Sequence, residues 1–464
     1  MDHEQHPLMT SFLSQSSDEK PTSEQNLDSP NYWAASPSTL VTTSNLHSLR
    51  LGTGNRIIES FLSSIESAEH EVVFVTCYWA SSTSLSRICD SLRRLSAKAL
   101  ASNRKIRVRI CFSSSGVWQK LFHTQSPQGK VYDPSSWTKD LGLPAPDELQ
   151  GLDLEVKSIF LLPISIIHPK FIVVDRKIAF LPSCNVSWEN WFEGCLELSG
   201  PVVGQFLRFW QAFWTNEDTA VPCVSGSPND ALQHKSTASN ELLSKREFES
   251  IPLQTLFLPS PHHRNPRFRL PWQAPPPAPL TPLNIFLLQA LQGATKYIYI
   301  QTPNLTSQPV ISALLSALDR GVNVSILTSE RLQLLEQIIT AGTTSPRCVA
   351  KLIAQHRAMV EAQDSAAYRD VEAMAAAKLG TLKVSYYQPQ AGREASDDEP
   401  VQSHFKLTVV DGEVAVFGSG NMDRPSWYTS QELGVAFFST EFVAEVERSL
   451  AEALTGRCKL TYEG

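Results

Sequence analysis

The sequence predicts an α/β protein built from two similar halves, each a mixed sheet flanked by helices, and three observations carry that expectation. A helix–strand–helix–strand pattern occurs twice: NRIIESFLSSIESAEHEVVFVTCYW leads into SLSRICDSLRRLSAKALASNRKIRVRICFSS, and LNIFLLQALQGATKYIYIQTPN leads into PVISALLSALDRGVNVSILTSE. Within both copies the periodicity switches from helical to extended. Ile57, Phe61, Leu62 and Ile65, then Ile285, Leu288 and Leu291, recur at helical spacing, whereas VVFVT, RVRIC, YIYIQ and NVSIL are short and β-branched. Finally, each copy runs on to an apolar segment with one polar pattern, IIHPKFIVVD in the first and SHFKLTVVD in the second. Strands alternating with helices imply parallel or mixed sheets covered on both faces.

Along the chain, residues 1–38 are rich in Ser, Pro, Gln and Asp and read as a disordered tail. The first half spans 39–221. Residues 222–282 read as a Pro-rich connector whose proline density opposes helix and internal strand. The second half spans 283–464, with an Ala-rich helical insertion at about 345–379 and an acidic loop, QAGREASDDEP, just before its motif. Phe206, Phe209, Trp210, Phe213 and Trp214 repeat at helical spacing and are expected in the core. His262, His263, Arg264, Arg267 and Arg269 form a basic cluster in the connector, expected to be solvated, with contact to anionic lipid headgroups as the sharper reading.

A chain of 464 residues suggests two domains of ordinary size. Its net charge of -7 is the opposite of the basic surplus a nucleic-acid binder usually carries, so no nucleic-acid partner is expected. The eight cysteines form no C-x-x-C pair and several sit in apolar runs, which reads as buried free thiols in a reducing compartment. The start, MDHEQHPLM, has no signal-peptide core, and no run reaches the ~18 apolar residues of a spanning helix. The expected location is cytoplasmic, or peripheral on an internal membrane.

The chemistry rests on His168, Lys170 and Asp175 in the first copy and His404, Lys406 and Asp411 in the second. On a strand, residues two apart share a face, so each His and Lys can reach one phosphate. The aspartate, seven after its histidine, falls on the other face or in the following turn and is better suited to anchoring the chain. Eight residues beyond each aspartate stands a serine, Ser183 or Ser419, and ten beyond it an asparagine, Asn185 or Asn421. Their hydroxyl and amide donors suit phosphate oxygens. The first of these turns has Pro182 where the second has Gly418. Each copy then presents a carboxylate at the head of another strand, Glu193 before GCLEL and Glu432 before LGVAF.

With two His-x-Lys-x-x-x-x-Asp motifs, each followed by Ser-x-Asn at one spacing, the chain resembles the phospholipase D superfamily over roughly residues 50–450. WFEGCLELSGPVV with FLRFWQAFW, and IQTPNLTSQPVISALLSALDRGVNVSIL, are similar to bacterial-type cardiolipin synthases. The resemblance implies an intrachain pseudo-dimer whose motifs meet at the interface. It implies that one histidine, His168 by analogy, becomes a phosphohistidine while the other protonates the leaving oxygen. It implies no metal or other cofactor, a phospholipid at a membrane surface as substrate, water or an alcohol as acceptor, and a monomer sufficient for activity. The family holds a histidine's second ring nitrogen with a downstream carboxylate. Glu432 matches that position. Glu193 matches it in the first copy, where cardiolipin synthases commonly carry Asp, and Glu197 on the same strand face stays open as the alternative. A nuclease or nucleic-acid end-processing phosphodiesterase is the second reading. Against it, small family nucleases carry a single motif, and tyrosyl-DNA phosphodiesterases lack the motif aspartates present here. A catalytically degenerate lipid-binding protein is the third.

Overall fold

The computed structural model describes residues 5–18, 31–124, 126, 128–161, 165–215, 242–249, 252–261, 277–369, 378–394 and 398–464. The first half contains β1 (Val41–Thr53), β2 (Glu71–Tyr78), β3 (Ile106–Ser114), β4 (Lys130–Val131), β5 (Leu152–Ser158), β6 (Phe171–Val174), β7 (Ile178–Pro182) and β8 (Trp191–Ser199). Further strands are β9 (Ser244–Glu247), β10 (Pro252–Ser260), β11 (Tyr297–Thr302), β12 (Asn323–Thr328), β13 (Leu382–Tyr387), β14 (Gln402–Ser403), β15 (Leu407–Val410), β16 (Val414–Gly418), β17 (Glu432–Phe438) and β18 (Cys458–Glu463). Helices are α1 (Pro7–Asp18), α2 (Gly54–Ser67), α3 (Thr83–Ala101), α4 (Val117–Leu121), α5 (Val202–Trp210), α6 (Pro282–Gly293), α7 (Gln308–Asp319), α8 (Leu334–Ala341), α9 (Ser345–Arg369), α10 (Arg424–Tyr428) and α11 (Thr440–Ala453).

The same pairing order occurs twice. In the first half β2 and β3, and β3 and β5, are parallel, while β6 on β2, β7 on β6, β8 on β7 and β1 on β8 are antiparallel. In the second, β11 and β12, and β12 and β13, are parallel, while β15 on β11, β16 on β15, β17 on β16 and β10 on β17 are antiparallel. β1 and β10 pair antiparallel from Val41↔Leu256 to Asn45↔Pro252 and join the two. Strand β2 shows why its sequence is apolar throughout. Val73 and Val75 face a core that runs through both halves, and Val72 and Phe74 face a second core under α2 and α3. The aromatic run Phe206–Trp214 is buried, as its spacing predicts.

Three expectations are corrected. Residues 7–18 of the supposed tail form α1, whose Met9 and Phe12 are fully buried against α6, Phe12 meeting Phe286 edge-on at 6.0 Å. Polar composition around four apolar residues, Leu8, Met9, Phe12 and Leu13, concealed a helix that needs a partner to form. Residues 252–260, assigned to the connector, form β10, an internal strand paired on both sides. Its prolines lie near the two ends and leave LQTLFL between them to pair. The motif histidines and lysines precede their strands, because β6 begins at Phe171 and β15 at Leu407. The basic cluster at 262–269 and residues 222–241 lie outside the described residues. Among the described cysteines, six are buried and Cys458 is exposed, all as free thiols.

Candidate active site

Backbone pairing across the two halves builds the site. Ser403 pairs with Phe192 in the short parallel contact of β14 with β8, and the His404 amide donates to the Phe192 carbonyl at 3.0 Å. In the other half Ile167 forms a parallel bridge with Gln431, and the His168 amide donates to the Gln431 carbonyl at 3.0 Å. The next residues are His404 with Glu193, and His168 with Glu432. Each histidine is therefore placed beside the carboxylate of the opposite half. His168 Nδ1 lies 2.9 Å from both Glu432 oxygens, and His404 Nδ1 lies 2.7 Å from Glu193 Oε1. An ionised carboxylate can only accept, so Nδ1 carries the proton and Nε2 keeps its lone pair. Glu197, four residues further along β8, instead pairs with Arg50, which leaves Glu193 as the carboxylate beside His404.

The remaining motif residues divide into three kinds. Lys170 and Lys406, both buried, each donate Nζ to the carbonyl of their own histidine, at 2.9 and 2.5 Å. Ser183 donates to Glu193 and Ser419 to Glu432, so the serines hold the carboxylates that hold the histidines. Their hydroxyl protons are thus committed to carboxylates, where the sequence alone suggests phosphate oxygens. Asn185 accepts from the Tyr78 amide through Oδ1 at 3.2 Å and lines the cavity, while Asn421 gives its Nδ2 to Asp423 at 3.0 Å. The aspartates stand apart from the chemistry. Asp175 accepts from the amides of Glu69, His70 and Glu71, and Asp411 from those of Thr295, Lys296 and Tyr297. Each thus fastens the turn after the motif strand to the start of β2 or β11, the anchoring position that the spacing from the histidine suggests.

His168 and His404 line one cavity of about 90 Å³, together with Asn185, Asn421 and Glu432. Burial pushes the imidazoles down, His404 to about 3 and His168 below its usual range, against the pull of Glu193 and Glu432. Burial pushes the two carboxyls up, but the histidines and the serine hydroxyls outweigh it and leave both below the usual range. Lys406 is pushed by burial down to about 7. At neutral pH the site therefore holds two ionised carboxylates, two neutral imidazoles and a lysine near its titration point.

Several lining residues escaped the sequence reading. Asp423, pushed up to about 6 by burial, accepts from the Ser426 amide, and Ser426 donates its hydroxyl to Glu432 at 2.6 Å. The D-R-P-S pattern is a helix-cap signal for α10, and nothing local ties it to the site. Trp191 packs its ring 5.0 Å from that of His404 and stacks on Trp188. Gly194, next to Glu193, leaves room for Phe405, since a Cβ there would come within 2.4 Å of the ring.

Residues 287–454 match the family model described as "Cardiolipin synthase, PLD-like domain". Cardiolipin synthase A of Pseudomonas putida (strain GB-1) is 22% identical over 306 residues, covering 64% of this chain and 49% of that protein. Cardiolipin synthase A of Pseudomonas entomophila (strain L48) is 24% identical over 306 residues, with the same coverage. The chain spans about half the length of the curated relatives it matches. Phosphatidylserine synthase of Haemophilus influenzae Rd KW20 shares the fold at a TM-score of 0.54 and 12% identity, over 93% of this chain and 92% of that one. Over residues 287–454 the likeness is to the PLD-like domain of the cardiolipin synthase type, and the wider matches are to cardiolipin synthases.

Proposed function

We propose that the chain is a phosphodiesterase or phosphatidyltransferase acting on phospholipids through a phosphohistidine. The observation that carries this reading is the crossed arrangement of two histidine–carboxylate pairs around one cavity. His168 Nε2 attacks phosphorus and forms an N–P bond while the P–O bond to the leaving alcohol breaks. The leaving oxygen takes a proton from His404 Nε2. Water or an acceptor alcohol then gives its proton to His404 and attacks phosphorus, and the N–P bond breaks. In this reading Lys170 and Lys406, two residues from the histidines, and Asn185, which lines the cavity, supply the donors for charge building on the phosphoryl oxygens. Burial keeps His404 neutral in the empty site, and the phosphodiester's negative charge favours its protonation once substrate is bound.

Both curated relatives and the phosphatidylserine synthase fold-neighbour act on phospholipids by name, which favours a lipid over a nucleic acid. The test is incubation of the purified chain with phosphatidylglycerol or phosphatidylcholine, with and without glycerol or ethanol, and separately with single-stranded DNA, followed by mass spectrometry of products. Phosphatidic acid or an exchanged headgroup is expected. Cleavage of DNA with both lipids untouched would overturn the lipid reading. An acid-labile, base-stable phosphoenzyme should map to His168, and an adduct on His404 would reverse the order of the two roles.

A further inference from the structure

Trp118, Leu121 and Phe122 on and just after α4, and Leu335, Ile338 and Ile339 on α8, are six of the eleven large apolar side chains exposed among the described residues. Trp118, Phe122 and Leu335 are 74%, 82% and 72% exposed. Both sets have i, i+3, i+4 spacing, so each forms a patch on one side of its element. Trp118 and Phe122 stack with ring centroids 6.2 Å apart. The two elements hold equivalent places, α4 following β3 and α8 following β12, each the middle strand of a parallel trio.

Both elements also contribute to the wall of the catalytic cavity. Lys120 from α4, and Glu336, Gln337 and Thr340 from α8, line it with His168 and His404. The polar side of α8 thus turns to the cavity and its apolar side turns away. The cavity's volume of about 90 Å³ decides what the apolar sides are for. A volume of that size suits a phosphodiester and a small polar head better than a pair of acyl chains. The chains of a phospholipid held there must stay outside the mouth. Tryptophan is favoured at the lipid–water boundary, and Lys120, between Trp118 and Phe122, brings a cation to anionic headgroups.

We propose that the two apolar triads form a membrane-docking rim that dips into the surface of a phospholipid bilayer on either side of the cavity and holds its mouth at headgroup depth. The proposal rests on the reading of the substrate as a phospholipid. Its test uses the full chain, the variants Trp118→Ser/Phe122→Ser and Leu335→Ser/Ile339→Ser, and vesicles of equal parts phosphatidylglycerol and phosphatidylcholine. Co-sedimentation, turnover on vesicles, and turnover of soluble bis(p-nitrophenyl) phosphate are measured side by side. Each double variant should weaken vesicle binding and vesicle turnover about tenfold, as loss of buried apolar area predicts, and leave soluble turnover within about twofold. Unchanged vesicle binding would overturn the rim, and so would an equal loss on the soluble ester. A dimer in solution that the substitutions dissociate would assign the patches to a second copy and overturn it as well. Vesicle binding lost with the triads in a protein that turns over no lipid would support the rim and sink the lipid-substrate reading alone.

Discussion

Glu432 meets the His168 imidazole with both oxygens, and two serines, Ser419 and Ser426, fix its position. Glu432→Gln keeps the volume but replaces a pure acceptor with an amide, so the imidazole loses its fixed tautomer. A fall in kcat of about 10²–10⁴ is expected with the melting transition little changed. Because the pair acts as a unit, His168→Ala/Glu432→Gln should be no slower than His168→Ala alone. Additive losses would mean the two act separately. Lys406 predicts a pH effect. Its pKa falls from an ordinary 10.5 to about 7, so between those values the unfolded chain binds more protons than the folded one and stability rises with pH. Activity should move the other way, since the neutral amine no longer stabilises phosphoryl charge. kcat/KM should fall above about pH 7 while the melting temperature does not. An alkaline limb that persists in Lys406→Arg, whose guanidinium keeps its proton, would assign the limb to another group.

Each motif strand ends in a tight turn with its aspartate at positive φ, 50° for Asp175 and 57° for Asp411. Asp tolerates that backbone better than most residues, and its carboxylate gathers three consecutive amides at the head of the neighbouring strand. Asp411→Ala should cost about 2–3 kcal/mol from lost charge-assisted hydrogen bonds, and Asp411→Asn less. Neither should change kcat of the protein that remains folded. A kcat loss without a stability loss would restore the aspartate to the chemistry. Burial pushes the Asp411 carboxyl up, but those amides hold it below its usual value. The stabilisation it brings is therefore present above the unfolded-chain pKa and lost as pH falls through the folded one.

For the whole molecule, the crossed pairs mean that neither half contains a complete histidine site. His168 needs Glu432 and His404 needs Glu193, and both crossings lie within one chain. Specific activity should therefore be independent of protein concentration on dilution, measured by initial rates. A loss on dilution would point to an obligatory second copy. Charge stabilisation by two lysines also predicts that activity survives excess EDTA. Loss restored by Mg²⁺ or Zn²⁺ would indicate metal-assisted hydrolysis instead. No helix among the described residues is long and apolar enough to cross a membrane.

The local sequence determined the repeat, the strands and helices around each motif, and the identity of the His, Lys, Asn and Glu residues. Those signals live in periodicity and spacing within a few tens of residues. The aspartates' anchoring place was suggested too, because a residue seven after the histidine falls on the other face of a strand or in the turn that follows it. What the sequence could not settle was pairing between distant segments. Glu193 and Glu197 look alike on one strand face, and only the contact of β14 with β8 puts the first against His404 and leaves the second to Arg50. The serines read as phosphate donors until their carboxylate neighbours were in place. β10 was hidden by prolines, and α1 by polar composition, because each is held by partners far away in the chain: β1 and β17 for the strand, α6 for the helix. Tertiary structure decided these points because a hydrogen bond or a buried face is completed by whichever group lies beside it in space, and spacing along the chain does not encode that neighbour.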